Sequence, residues 1–546
     1  MRASLSLLYA AIASVVLAAP WDETWDVIVV GAGPAGLIIS NRMSEAGKKT
    51  LLLEGGGPSY YSTGGRQRPK WLDGTDLSRV DVPGLYKSIF ADQGNLTCTD
   101  SAAAFTGCTV GGSSAINAGL FFQPPASDFD NYFPDGWKAK DVKSAIDKCY
   151  EKLPSSEVYS QDGKFYLDSG YQAARKWLVD GVGYKEVQFN KQPDEKNGTF
   201  GRTVFDYIGG QRGGPTRVYL KEAENRTNFH LEMYTRVQRV ERDGNTATGV
   251  LVKPVNGSVH TIKLNSGGRV ILSGGALQSP QILMFSGIGD KAIQSNLSRA
   301  GVLDIKQAWI DNNAVGDGLF DNPNTFVELE GPTIESYVQN YSDPIKADAD
   351  EYINHRSGPY SFASETSAFW DYVDRNDGTS AGCQGTIDSS GFGDYKSNQT
   401  ITLNVYGTSG LKSRGKVILN DKLLPGPSPE VYYSDPQDAE DIATFIFRIF
   451  QGLDPTLLKP LNLPLNSSQQ DIRKYITSET PYTRGEVNHF SSSCRIGSCV
   501  DTNTQVKGTT NIHVVDASIV EPLTVNPQFG TMIAAERAAE LILKLK

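Results

Sequence analysis

Residues Asp26 to Gly36 read Asp-Val-Ile-Val-Val-Gly-Ala-Gly-Pro-Ala-Gly, and no other stretch limits the possible folds as tightly. Val27 to Val30 is a short, fully apolar, β-branched run, which predicts a buried parallel strand. Gly31, Gly33 and Gly36 follow it at G-x-G-x-x-G spacing, with Pro34 and Ala35 between them. Leu37 to Ala46 then predicts a helix with Gly47 as its C-cap. Thr50 to Leu53 predicts a second strand, ending at Glu54, 18 residues beyond Gly36. Gly31 permits the tight turn, Gly33 lets the backbone approach a pyrophosphate, and Gly36 lets helix and strand pack closely. The helix N-terminus offers free N–H groups and partial positive charge to the phosphates. Glu54 is placed to accept from a ribose 2′-OH, and its charge disfavours the 2′-phosphate of NADP. A lone glycine motif is weak evidence, but strand, glycines, helix, strand and acid in one βαβ unit predict dinucleotide binding. The motif does not separate FAD from NAD.

The chain has 546 residues, enough for more than one domain. Its net charge of −10 and the lack of any basic run argue against a nucleic-acid partner. Met1 to Ala19 carries one Arg and then an apolar run from Leu5 to Leu17, with small residues before Pro20. This predicts a secretory leader, too short for a membrane span of about 20 residues. Eight Asn-x-Ser/Thr sequons, at Asn95, Asn197, Asn225, Asn256, Asn296, Asn340, Asn398 and Asn466, support an extracellular, glycosylated protein. Of the six cysteines, Cys98 with Cys108 and Cys494 with Cys499 would close short loops. Cys149 and Cys383 are left over, either buried and free or joined to one another. No Cys/His cluster has zinc-ligand spacing, so no metal is expected.

Further along, Thr109 to Asn117 is a second glycine-rich loop, read as a backbone nest near the cofactor. Lys138 to Leu153 predicts an amphipathic helix with Val142, Ile146 and Tyr150 on one face. Thr227 to Val252 alternates like strands, turning at Asp243-Gly-Asn. Gly268 to Ala276 predicts a buried strand running into glycines and opening a helix over Ser279 to Ser286, with Pro280 in its first turn. Between about 320 and 470, stretches such as Thr400 to Tyr406 and Gly415 to Leu419 predict an antiparallel sheet forming a substrate wall. The Gly/Ser-rich segment from Asn376 to Gly393 reads as an exposed loop. Thr510 to Asp516 predicts a late strand and Gly530 to Leu545 a closing helix.

Gly275-Ala-Leu-Gln-Ser-Pro-Gln-Ile-Leu-Met-Phe-Ser-Gly-Ile-Gly289 resembles the second signature of the glucose–methanol–choline (GMC) oxidoreductases, a family that binds FAD. The N-terminal fingerprint and Asn526-Pro-Gln-Phe-Gly-Thr-Met agree with it, so the resemblance spans essentially the whole mature chain. Within the family the chain is most similar to the flavin domain of fungal cellobiose dehydrogenases, through Met43 to Lys49, Glu54 to Ser59, Val82 to Leu85, Val110 to Gly112, Ser413 to Gly415, and Asn488 with His489. The resemblance implies an α/β and α+β architecture: a Rossmann-like FAD-binding domain assembled from residues 20–125, 201–320 and 471–546, with a cap segment at 126–200 and an antiparallel-sheet substrate domain at 321–470.

It also implies roles. Gly31, Gly33, Pro34, Ala35, Gly36 and Glu54 would hold the ADP half of FAD. Val110, Gly111, Gly112, Ser113 and Asn117 would lie along the flavin, with Val237 beside the adenine. Asp516, Ala517, Pro527 and Gln528 would complete the cofactor site. His489 matches the catalytic histidine and Asn526 its partner; Lys87, Phe90, Arg414 and Asn488 would face the substrate. The residue types suit alcohol oxidation. A neutral imidazole accepts a hydroxyl proton near neutral pH. Asn526 cannot titrate and can only orient that hydroxyl.

Lys87 stands where the cellobiose dehydrogenases are expected to carry Glu, which puts cellobiose in doubt and would favour an anionic group. Nothing between the leader and Trp25 could be a haem domain, so electrons would pass to a soluble quinone-like acceptor or to O2. The loop from Ser113 to Asn117 lacks the His that anchors FAD in some relatives, which implies non-covalent FAD. The expected activity is oxidation of an alcohol or hemiacetal, on a carbohydrate. The rivals are an aryl-alcohol or secondary-metabolite alcohol oxidase or dehydrogenase, a lyase retaining FAD, and a non-catalytic FAD-binding protein.

Overall fold

The computed structural model describes residues 19–303 and 308–545. All but the last residue of the expected leader lies outside them.

The first βαβ unit folds as its pattern requires. The strand Thr24–Val30 is followed by the helix Pro34–Glu45 and the strand Thr50–Leu53. Gly47, at φ +81°, lies just past the helix, and its N–H bonds the Ser44 carbonyl. Gly31 has φ +101°, and a Cβ there would lie 2.4 Å from the Ser273 carbonyl oxygen. A Cβ on Gly36 would lie 1.9 Å from the Gly31 oxygen. Both positions therefore demand glycine.

Thr24–Val30 is central in a seven-stranded sheet, paired in parallel with Thr50–Leu53 on one side and His260–Leu272 on the other. Phe229–Glu232 and Ile512–Val514 extend it in parallel. Thr246–Pro254 and Thr235–Asp243 add an antiparallel edge, turning at Gly244. The helices Pro34–Glu45 and Pro527–Ile542 pack together over this sheet, and Val27 to Val30 sit inside the largest apolar core.

The helix expected over Ser279 to Ser286 starts earlier, at Gly275–Phe285, so Pro280 is interior and not in the first turn. Proline has no N–H to give the carbonyl four residues back, that of Ala276. The hydroxyl of Ser493 donates to that carbonyl at 2.6 Å, which compensates the lost helical bond.

The second sheet has eight strands and is almost wholly antiparallel. Its central order is Pro323–Glu330, Thr400–Gly407, Ser380–Asp388, Glu365–Asp374, Thr199–Arg202. One face packs on the helix Pro436–Gln451 through Ile442, Phe445, Ile446 and Ile449. The exposed loop expected from Asn376 to Gly393 is overturned: Ser380–Asp388 is a buried central strand. Its glycines serve close packing, since a Cβ on Gly385 would lie 2.1 Å from the Phe369 ring. Gly415–Leu419 is a strand, but of a separate three-stranded sheet. Cys98–Cys108 and Cys494–Cys499 are disulfides; Cys149 and Cys383 are buried and free. No described helix is long and apolar enough to cross a membrane.

Candidate active site

A cavity of about 1320 Å³ runs between the two sheets, from the βαβ glycines to His489 and Asn526. It exceeds the roughly 300–1,000 Å³ of ordinary ligand pockets, and so has room for an extended cofactor with a substrate. Gly31, Gly33, Pro34, Ala35 and Glu54 line one end. Gly33 precedes the helix Pro34–Glu45 without any side-chain cap, and a Cβ on it would meet nothing closer than 4.0 Å. Uncapped helical N–H groups thus open onto free space, as a pyrophosphate needs. Glu54 is buried; its carboxylate accepts from the N–H of Ala32 and of Gly56, both at 2.8 Å. Burial raises its pKa, while those donors and Arg236 pull it down. Each oxygen keeps a further acceptor position for a ribose hydroxyl.

Gly112, Ser113 and Asn117 line the middle of the cavity, with Val237, Asp516, Ala517, Pro527 and Gln528. Asp516 also ties the helix Gly275–Phe285 to this wall, accepting from the Gly275 N–H at 2.8 Å and the Ser279 hydroxyl at 2.6 Å. Gly36, Val110 and Gly111 do not line the cavity. Gly36 is in helix-to-strand packing, Val110 is fully buried, and Gly111 turns the chain at φ +96°.

At the far end, His489 lies in a tight polar frame. Its Nδ1 is 2.9 Å from Asn322 Oδ1. Asn322 Nδ2 donates to the Gly407 carbonyl at 2.7 Å, which fixes the amide orientation. Nδ1 must therefore carry the proton, leaving Nε2 as a lone-pair acceptor. Burial lowers the imidazole pKa to about 3, so the ring is neutral over the ordinary pH range. Asp321 anchors the backbone below it, accepting from the N–H of His489 at 2.7 Å and of Asn488 at 3.1 Å, and from the Tyr432 hydroxyl at 2.6 Å. Burial pushes Asp321 up to about 6. Asn488 has φ +62°, a conformation Asn tolerates better than most residues, and its Oδ1 accepts from the Phe105 N–H at 2.7 Å.

Asn526 Oδ1 accepts from Gln384 Nε2 at 2.8 Å, and its Nδ2 donates to the Tyr406 hydroxyl at 3.2 Å. Tyr406 also meets the His489 ring edge-on, with centroids 6.0 Å apart. Tyr406 and Gln384 thus position the asparagine, and Tyr406 stands beside the histidine. Neither they nor Asp321 and Asn322 were singled out from the sequence. The period-two alternation of Thr400-Ile-Thr-Leu-Asn-Val-Tyr was the available signal for Tyr406.

Lys87, Phe90 and Asn488 line the cavity, but Arg414 does not. Its guanidinium donates to the carbonyls of Leu411 and Ser413 and lies over the Phe320 ring. Lys87 is ion-paired to Asp388, so the charge expected to attract an anionic group already has a counter-ion.

Comparison with known proteins agrees with this geometry. GMC oxidoreductase sequences match residues 86–324 and again 412–535, and an FAD binding domain matches residues 26–76. The chain belongs to the GMC oxidoreductase family. This GMC oxidoreductase is 27% identical to the fatty acid photodecarboxylase of Chlamydomonas reinhardtii, over 95% of this chain and 91% of that one. It is 25% identical to choline oxidase of Arthrobacter globiformis, over 95% and 94%. Formate oxidase of Aspergillus oryzae RIB40 shares the fold at TM-score 0.77 and 17% identity, covering 95% of this chain and 98% of that one. As a GMC enzyme the protein uses FAD and acts on CH–OH donors.

Proposed function

We propose that the enzyme oxidises a CH–OH group of an elongated, polyhydroxylated substrate, a carbohydrate. The observation that carries this reading is the cavity-facing side of the antiparallel sheet. Register aligns three rows across neighbouring strands: Asn324, Tyr406 and Gln384; then Phe326, Asn404 and Thr386; then Glu328, Thr402, Asp388 and Glu365. The first row adjoins His489 and Asn526. The third adjoins Lys87, about 13–14 Å away at the usual strand rise. The opposite face of the same strands is apolar and packs in the core, as Val327, Leu403, Val405 and Ile387 do. A long floor of hydroxyl, amide and carboxylate groups beside Phe90 and Phe326 suits a hydroxyl-rich sugar chain, which can exchange hydrogen bonds with it along its length, better than an aryl alcohol, which brings a single hydroxyl.

In this reading His489 Nε2 takes the hydroxyl proton, and Asn526, held by Gln384 and Tyr406, orients the hydroxyl oxygen. FAD, when bound, supplies the hydride acceptor. Gly31, Gly33, Pro34, Ala35 and Glu54 hold its ADP end; Gly112, Ser113, Asn117, Val237, Asp516, Ala517, Pro527 and Gln528 hold the rest. Attachment is non-covalent: among the described residues lining the cavity, His489 is the one histidine, and the cysteines are joined in a disulfide. The electron acceptor is quinone-like or O2.

The segments at 20–125, 201–320 and 471–546 form the cofactor half and 321–470 the substrate half; of 126–200, the helix Ala139–Lys152 packs on Pro527–Ile542 and joins the core of the cofactor half. The protein is secreted and glycosylated. Two disulfides support this, as does the exposure of all eight sequon asparagines. An anaerobic screen of flavin bleaching tests the substrate reading. A disaccharide is expected to bleach the flavin faster than its monosaccharide and faster than benzyl alcohol. Faster bleaching by benzyl alcohol would favour the aryl-alcohol alternative.

A further inference from the structure

Two buried charges stand behind the middle of the cavity and reach it only through amides. The hairpin Tyr207–Ile208 with Gln211–Arg212 turns at Gly209 and Gly210, both in the left-handed region, and so brings Asp206 and Arg212 to one end. Both side chains are almost completely buried, at 2% and 1% exposure. Arg212 Nη1 donates to Asn117 Oδ1 at 3.0 Å and to the Ser114 carbonyl at 3.2 Å, while Nε donates to the Val80 carbonyl. Asn117 Nδ2 donates to Gln528 Oε1. Gln528 Nε2 donates to Asp206 Oδ2 at 2.7 Å. The order is therefore guanidinium, amide, amide, carboxylate, with every carbonyl turned to the cation and every N–H to the anion. Each bond in such a chain polarises the next.

Asn117 and Gln528 line the cavity, while Arg212 and Asp206 do not. Gln528 also lies in the first turn of the helix Pro527–Ile542, whose N-terminus carries no side-chain cap. An amide nitrogen has two N–H groups. In each of these amides one serves the relay, which leaves the other for the cavity. The relay itself is left incomplete, for Arg212 Nη2 and Asp206 Oδ1 are buried without a partner. Burial pushes Asp206 up to about 7, with Arg212 pulling it back.

We propose that Arg212 and Asp206 are positioning residues for the cofactor: through Asn117 and Gln528 they fix amide N–H donors on the cavity wall that hold an electron-rich edge of the flavin and set its reduction potential. The inference rests on FAD occupying this cavity and is independent of which alcohol is oxidised. Reduction adds electron density to the flavin, so a nearby positive charge raises the potential and a negative one lowers it.

Spectroelectrochemical titration of the purified holoprotein at about pH 9, well above the raised pKa of Asp206, keeps that carboxylate ionised and tests this without substrate. Asp206→Asn keeps an acceptor for Gln528 but removes the negative charge, and is expected to raise the midpoint potential. Arg212→Met removes the positive charge and is expected to lower it. Shifts of opposite sign support the proposal, since a merely structural role would loosen FAD in both variants without that pattern. Shifts of the same sign, or none, overturn it. Should Arg212→Met fail to fold with FAD, Asp206→Asn decides alone: a raised potential supports the relay, and an unchanged or lowered one overturns it.

Discussion

His489 and Asn322 are joined by one hydrogen bond of 2.9 Å, and its direction decides what the histidine can do. Because Asn322 Nδ2 is committed to the Gly407 carbonyl, the amide oxygen must face the ring. The ring proton is held on Nδ1, and Nε2 is left basic. Asn322→Leu removes the acceptor and frees the ring to flip and to exchange its proton between nitrogens. Flavin reduction by substrate is expected to slow by about tenfold or more, a part of the roughly 10²–10⁴-fold that general-base catalysis contributes, with FAD still bound. Stopped-flow reduction under anaerobic conditions measures this, and an unchanged rate would detach Asn322 from the reaction.

Glu54 connects the glycine loop to the cofactor end of the cavity. Glu54→Gln keeps one acceptor oxygen but puts an N–H where either Ala32 or Gly56 now donates. FAD retention after gel filtration is expected to fall, with the relative rates on different substrates unchanged. Full occupancy after prolonged dialysis would count against the assignment.

Stability should depend on pH in a direction set by the buried acids. Burial pushes Asp128, Asp206, Glu328 and Glu365 up to about 7 and Asp321 to about 6. Their unfolded values lie near about 4. Between these limits the folded protein binds more protons than the unfolded chain, so these groups make it less stable as pH rises. His489 and His513, lowered to about 3, act oppositely below about 6.5. The acids outnumber the histidines, so the melting temperature is expected to fall from pH 5 to pH 7. Thermal denaturation at those two pH values checks it; a rise would mean that the histidines dominate.

Much of this site is legible along the chain where the chemistry is local. Gly31, Gly33 and Glu54 belong to one βαβ unit whose spacing is fixed by the turn and the helix. His489 and Asn526 lie in short motifs. What escapes is whatever depends on register between distant strands. Asp388 and Glu365 become neighbours only through pairing, and Ser380–Asp388 reads as a loop because of its glycines, of which Gly385 makes room for Phe369 and Gly382 for Thr408. Arg414 fails because its guanidinium finds carbonyls on its own turn and the ring of Phe320. Pro280 suggests a helix start until Ser493, more than two hundred residues later, supplies the missing donor.

The central claim is that His489, neutral and held by Asn322, accepts the substrate proton. His489→Ala measured by anaerobic stopped-flow reduction tests it most directly. The account predicts retained FAD and reduction slowed by about a hundredfold or more, the scale of general-base loss. Reduction at a near wild-type rate in a fully flavinated His489→Ala protein would contradict it.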